Sequence, residues 1–425
     1  MERDTAFELA SSSIRFGQGV TREAGMDLAD MGIGRVMVVA DPVVSKLSPV
    51  SNAIESLESE GISYELYDSV GVEPTDISFK DAIKFATEGE FEGFVAIGGG
   101  SSIDTAKAAN LYSTYPADFF DYLNAPIGKG KPVPGQLKPL IAIPTTSGTG
   151  SETTGVAIFD LVEMKTKTGI SHRRMKPTLG LLDPDNTKTL PLQVAAATGL
   201  DVLSHALESY TAIPFNERPR PERPLLRPSY QGSNPISDLW ALEALRMVKE
   251  FLVRAVEDPS DDEARSMMLL AASYAGLGFG NAGCHLPHGM SYPVSGMVKE
   301  FKMPGYAVDY PIIPHGVSVI LNAPAVFRFT ASACPERHLH AAEVLGANIS
   351  GAKPEDAGRV LSDLIISYMQ RLNIPNGIEG VGYTSDDVSD LVKGASPQHR
   401  VNKLSPRPVE DEDLADLFQD ALRYW

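Results

Sequence analysis

Three short apolar runs constrain this chain more than any other feature: Val36-Met-Val-Val-Ala40, Phe94-Val-Ala-Ile97 and Leu140-Ile-Ala-Ile143. The first stops at Asp41-Pro42, the second at Gly98-Gly-Gly-Ser-Ser-Ile-Asp104 and the third at Pro144-Thr-Thr-Ser-Gly-Thr-Gly-Ser-Glu152. Strands that are apolar on both faces have no side to offer to water, and the stretches 51–60, 76–88 and 102–112 between them carry helical periodicity. Strands alternating with helices predict an α/β fold, a parallel sheet covered on both sides. Beyond Leu190-Pro191 only helical patterns remain, near 191–211, 236–256, 261–280, 315–330, 336–346, 354–372, 385–394 and 410–423. We therefore expect an α/β domain over 1–188 and an all-α domain over 189–425. At 425 residues and 43% hydrophobic composition the chain holds enough apolar material for both cores.

Two segments interrupt the helical half. Pro214 to Tyr230 has too many prolines for a helix and carries Arg218, Arg220, Arg223 and Arg227. Gly296 to Tyr310 carries Lys299 and Lys302. Long irregular segments within compact domains are often functional, although alternating Arg and Pro suits an exposed strap or an oligomer contact equally well.

Charge narrows the partners. Lys and Arg number 37 against 55 Asp and Glu, a net charge of -18. A surface this acidic repels nucleic acid and anionic membrane, so small molecules are the expected partners. An anionic substrate then requires a local cluster of arginines set against the global field. Cys284 and Cys334 are the only cysteines, which fits a reducing compartment without a disulfide scaffold. The opening residues carry acids where targeting peptides carry bases, and no apolar run reaches transmembrane length. A cytoplasmic homo-oligomer is the expectation.

The residues with chemistry cluster in a few stretches. Asp201 and His205 lie four apart in Thr198-Gly-Leu-Asp-Val-Leu-Ser-His205, which on a helix puts both on one face. Alone, such a pair reads as well as an ordinary helix-surface contact. His288 and His315, in Gly- and Pro-punctuated settings downstream, can complete a metal shell of Asp plus three His with one place open to substrate. Gly98 to Asp104 follows a strand and opens a helix, so its backbone N–H groups can approach a phosphate; a structural turn uses the same residues. Asp41, ending an earlier strand, can accept from a ribose 2′-hydroxyl, which favours NAD over NADP, or can cap the turn before Pro42. The hydroxyl- and glycine-rich loop Pro144 to Glu152 can wrap a second part of a nucleotide.

Gly-Gly-Gly-Ser-Ser-Ile-Asp, Pro-Thr-Thr-Ser-Gly-Thr-Gly-Ser-Glu, Thr-Gly-Leu-Asp-Val-Leu-Ser-His and Pro-His-Gly occur here in the order found in the iron-containing, group III alcohol dehydrogenases, and the chain resembles that family over nearly its whole length. Arg-Pro-Ser-Tyr-Gln-Gly-Ser-Asn-Pro-Ile-Ser-Asp at 227–238, His285 to Gly296 and His315 to Phe327 make it most similar to the hydroxyacid-oxoacid transhydrogenase subfamily. The resemblance implies a dinucleotide-binding α/β domain and a helical metal domain, a layout shared with dehydroquinate synthase, whose lyase motifs are absent here. It implies NAD and Fe2+ as cofactors, with Zn2+ also suited to the same shell. The implied reaction passes hydride from 4-hydroxybutyrate to 2-oxoglutarate, with NAD required but not consumed. The rival within the family is an NAD-dependent alcohol dehydrogenase that releases NADH.

Carried over by position, the family's metal ligands fall on Asp201, His205, His288 and His315. His288 is chosen over His285 because His288-Gly-Met-Ser-Tyr-Pro293 keeps the family's register. The same register puts Tyr292 where many relatives have a second, non-ligand His, so the proton donor is expected to be Tyr292 or His285. Nucleotide contacts fall on Asp41, Gly98, Gly99, Gly100, Ser101, Asp104, Thr145, Thr146, Thr149, Ser151 and Lys167. For acid substrates, Arg218, Arg220, Arg223 and Arg227, with Lys299 or Lys302, are the expected carboxylate clamp.

Overall fold

The computed structural model describes residues 2–164 and 166–425. The chain separates into two compact units, Ala10–Leu190 and a second made of Met1–Leu9 with Pro191–Trp425. Eight strands occur among the described residues, all in Ala10–Leu190: β1 (Ser13–Phe16), β2 (Arg35–Val39), β3 (Ser63–Tyr67), β4 (Gly93–Gly98), β5 (Leu140–Pro144), β6 (Val156–Leu161), β7 (Thr166–Ser171) and β8 (Leu179–Leu182). Six form one parallel sheet in the order β1-β8-β5-β4-β2-β3, while β6 and β7 pair antiparallel as a separate hairpin.

The apolar runs explain this sheet. Every residue of β4 and β5 is buried. Alternate side chains divide between two layers. Val36, Val38, Val95, Ile97, Ile141 and Ile143 pack with Leu28, Val50, Ala53 and Leu57 on one side. Met37, Val39, Phe94, Ala96, Leu140 and Ala142 pack with Ala82, Ala86, Ile103 and Ala106 on the other. Each large apolar side chain removed from water contributes about 1.5–3 kcal/mol. Because β5, β4 and β2 are parallel neighbours, the turns after their carboxyl ends gather Asp41, the triple glycine and Thr145 to Thr149 at one edge.

The second unit is helical, as its periodicity predicts. Its central element, helix Leu192–Thr211, has no exposed or half-exposed residue from Gly199 onward, so it is a core helix rather than an amphipathic surface one. Helices Pro235–Met247, Asp262–Ala282 and His315–Ile320 pack around it. Two patterns are subdivided. The expected 236–256 helix passes through a π turn at Val248–Leu252 before Val253–Glu257, and 315–330 breaks into His315–Ile320 and Ala323–Thr330. Helix Leu286–Gly296 is not expected from the sequence because Pro287 and Pro293 mask its period; Pro287 lies in the first turn, where a missing N–H costs nothing.

The arginine-rich segment is clasped by the first residues of the chain. Asp4, 1% exposed, accepts from Arg218 Nη2 at 2.8 Å and from Arg227 Nε and Nη2 at 2.9 and 3.0 Å. Arg220 meets Glu2 at 2.8 Å, and Arg223 is exposed. Hydrogen bonding from Arg227 outweighs the opposing effect of burial and pulls the Asp4 carboxyl from 3.8 down to about 2. A depressed folded-state value means stabilisation that is present above pH 3.8 and lost as pH falls through about 2. The shift corresponds to about 2 kcal/mol. Asp4→Asn should therefore lower the urea midpoint at neutral pH and show a shallower loss of stability across that acid window than the wild type; identical slopes would mean that the clasp carries no stability.

Candidate active site

Four ligand-type side chains converge inside the helical unit. Asp201 and His205 come from helix Leu192–Thr211, His288 from Leu286–Gly296, and His315 opens His315–Ile320. Each offers one ligand atom, and these atoms all lie within 4.8 Å of one another. The Nε2 atoms of His205, His288 and His315 stand 3.8, 3.8 and 3.9 Å from Asp201 Oδ1. His205 Nε2 and His288 Nε2 are 3.1 Å apart.

Two glycines make this convergence possible. A Cβ on Gly316 would overlap the Ala197 carbonyl and stand 3.0 Å from Asp201 Cβ, so only glycine lets the His315 helix lie against the central helix. A Cβ on Gly289 would overlap Asn402 Oδ1, so glycine there admits the 399–402 turn against the His288 helix. The His-Gly dipeptides in the sequence are thus packing requirements of the site.

Glu208, which the sequence reading missed, orients the cluster. It is wholly buried, its Oε1 is 2.6 Å from His288 Nδ1, and its Oε2 accepts from the His285 backbone N–H at 2.7 Å. A carboxylate on Nδ1 keeps the proton there and turns the Nε2 lone pair toward His205 and Asp201. Burial opposes a charge on His288, but Glu208 overrides it and the His288 pKa moves upward. Burial, followed by the neighbouring His288 and His315, holds His205 well below its ordinary range, so it stays a neutral donor. Three imidazole nitrogens and a carboxylate oxygen facing one point, with His315 alone partly exposed, are the donor set of a divalent cation. The available signal for Glu208 was its position three residues after His205 on the same helix.

The flanking residues differ in what they can do. Phe279 stacks on the His205 ring with centroids 3.9 Å apart. Tyr292, one turn beyond His288, accepts a hydrogen bond from Arg400 Nη2 at 2.8 Å. His285 is fully buried, its Nε2 is 3.0 Å from Thr211 Oγ1, and burial holds its pKa near about 4. Lys299 pairs with Asp387 at 2.7 Å and Lys302 binds the Asp309 carbonyl. Arg218 and Arg227 spend their guanidinium groups on Asp4, as above.

In the sheet unit the triple glycine joins β4 to helix Gly100–Thr114. Gly98 has φ +149°, and a Cβ there would overlap Ser102 Oγ. Side chains on Gly99 and Gly100 would crowd Thr146 and Thr149, so the two loops meet closely. Asp41 Oδ1 accepts from Val43 and Val44 N–H at 2.8 and 3.0 Å, while Oδ2 faces Gly98. Asp104 accepts from Ser151 Oγ at 2.5 Å and from Ile158 N–H at 2.9 Å. Buried Lys107, also missed from sequence, ties Ser151, Asp104 and the Val156 carbonyl together at 2.5, 3.2 and 2.9 Å. Lys167 is held between Glu73 and Asp160 at 2.7 and 3.1 Å.

The family model described as iron-containing alcohol dehydrogenase matches residues 11–184, and that of the Fe-containing alcohol dehydrogenase family, C-terminal, matches 229–422. The mitochondrial hydroxyacid-oxoacid transhydrogenase of Rattus norvegicus is 58% identical over 424 residues, 99% of this chain and 91% of the relative. The protein of the same name from Homo sapiens is 56% identical over 424 residues, with 99% and 91% covered. A 1,3-propanediol oxidoreductase structure matches with TM-score 0.85 and 26% identity over 98% of this chain and all of the other. A sulfoacetaldehyde reductase from Bifidobacterium kashiwanohense, solved with NAD+, matches with TM-score 0.79 and 25% identity over 99% of each chain. The expected cytoplasmic location is corrected by the two transhydrogenases, both named as mitochondrial. With family models over both halves and relatives of this identity, the chain belongs to the iron-containing alcohol dehydrogenase family.

Proposed function

We propose that this oxidoreductase moves hydride from a hydroxy acid such as 4-hydroxybutyrate to an oxo acid such as 2-oxoglutarate through an NAD that stays bound, as a homo-oligomer acting on small molecules. The observation that carries the reading is the convergence of buried Asp201, His205 and His288 with half-buried His315, Glu208 holding His288 in the metal-ready tautomer. These four residues would hold Fe2+, or Zn2+ in the same shell. When bound, the metal supplies Lewis acidity at the substrate oxygen and the nicotinamide supplies the hydride carrier.

The chain's own residues do the rest. Backbone N–H groups at Gly98 to Ser101, with the start of helix Gly100–Thr114 behind them, suit a pyrophosphate. Asp41 Oδ2 suits a ribose hydroxyl, since Oδ1 is engaged by the turn. Asp104, Ser151 and Lys107 fix the loop carrying Thr145, Thr146 and Thr149 rather than reaching outward themselves. Lys167, neutralised by Glu73 and Asp160, sets the β6–β7 hairpin in place. For the proton, Tyr292 suits the role better than His285. Arg400 donates to the Tyr292 oxygen, which leaves the phenolic hydrogen directed elsewhere, whereas His285 is neutral near pH 7 with Nε2 engaged by Thr211.

Two measurements test this reading. Glu208→Gln removes the charge that fixes His288, so metal retention in a chelator competition should fall about 10–100-fold; undiminished retention contradicts the assigned shell. Anaerobic iron-loaded protein, given 4-hydroxybutyrate and 2-oxoglutarate without added NAD, should form 2-hydroxyglutarate well beyond one equivalent per protein. No product without NAD, together with NADH released when NAD and an alcohol are supplied, would replace this reading by that of an ordinary alcohol dehydrogenase.

A further inference from the structure

We infer that Arg400 anchors the substrate's distal carboxylate and so sets the length of acid this enzyme accepts. The inference rests on the acid-to-acid reading above and assigns its specificity to one residue outside every motif. Arg400 enters the site through the 399–402 turn that Gly289 admits against the His288 helix. Its Nη2 donates to Tyr292 Oη at 2.8 Å, and its guanidinium lies over the Tyr230 ring, 4.7 Å from the centroid. Tyr292 and His288 are four apart on one helix and share a face. Tyr230 in turn meets Phe279 at 6.4 Å, and Phe279 stacks on His205. Arg400 is thus joined to the metal cluster from two sides through rigid aromatic rings. Its Nη1 is buried and meets no partner at hydrogen-bond geometry, although the guanidinium also has the Tyr230 hydroxyl beside it.

A buried guanidinium with unmade donors is costly, and a bidentate carboxylate is the partner that matches it. The electrostatics point the same way. Asp201 and Glu208 would already balance a divalent cation, so the metal shell would have no charge left for an anionic tail. The Pro-rich segment's Arg218 and Arg227 are committed to Asp4, and Lys299 to Asp387. The chemistry of the two acids completes the argument. In 4-hydroxybutyrate the carboxylate stands three carbons from the carbon that loses hydride, and in 2-oxoglutarate the distal carboxylate stands three carbons from the carbon that gains it. One cation at a fixed distance from the metal seats both acids in turn, which is what a single-site exchange needs.

The test compares two acceptors of equal length, 2-oxoglutarate and 2-oxopentanoate, which lacks the distal carboxylate. In holoenzyme carrying Arg400→Met, the ratio of kcat/KM for the diacid over the monoacid should fall roughly 100-fold, as expected for truncating one partner of a buried charge pair. Arg400→Lys should restore part of that ratio. Any effect through Tyr292 is common to both acceptors and cancels. Calorimetric titration of each holoenzyme with 2-oxoglutarate should show the same loss of affinity in Arg400→Met with metal content unchanged. A ratio left at the wild-type value, even if both rates drop, overturns the anchor and leaves Arg400 only a support for Tyr292. A wild-type enzyme that ignores both oxo acids yet reduces NAD with butanol overturns the parent reading, and the anchor falls with it.

Discussion

The contact between Glu208 and His288 is the interaction on which the helical unit's chemistry depends. A carboxylate with no exposure must be repaid in hydrogen bonds and charge, or the fold would exclude it. Glu208 is repaid twice. One oxygen takes the His288 ring, and the other takes the His285 backbone N–H, just where helix Leu286–Gly296 begins and its unpaired donors and positive dipole end need an anion. One residue of the central helix therefore starts helix Leu286–Gly296 and aims its histidine. That explains how a segment with two prolines and several glycines becomes a helix at all.

The sheet unit solves a different problem. The residues proposed to face the nucleotide sit on turns, which are mobile unless something holds them. Lys107 supplies the hold from below, as a buried cation bonded to Ser151, Asp104 and the start of β6. The triple glycine and the threonine loop are then close enough that a single added Cβ at Gly100 would strike Thr149. Preorganised backbone donors of this kind cost little to align when an anion arrives.

Much of this was legible in the sequence. The runs at Val36, Phe94 and Leu140 became adjacent parallel strands that bury both of their faces, and Asp201 with His205 gained its meaning only beside His288 and His315 downstream. What stayed hidden was hidden for physical reasons. Glu208, Lys107 and Arg400 act through distant partners, and nothing local distinguishes a buried charged residue from a solvated one. The β6–β7 hairpin includes Thr166–Ser171, a polar stretch whose lysine is buried only because Glu73 and Asp160 neutralise it. The arginines of the Pro-rich segment drew attention by composition, yet two of them turned to Asp4, more than two hundred positions away in sequence.

The central claim is that Asp201, His205, His288 and His315 bind one divalent cation together. X-ray absorption at the iron edge of the loaded protein measures that shell directly. The account predicts a single iron per chain with three imidazole ligands and a carboxylate oxygen, losing one imidazole in a His315→Ala variant. Iron bound through fewer than two imidazoles, or a shell unchanged by that substitution, would contradict it.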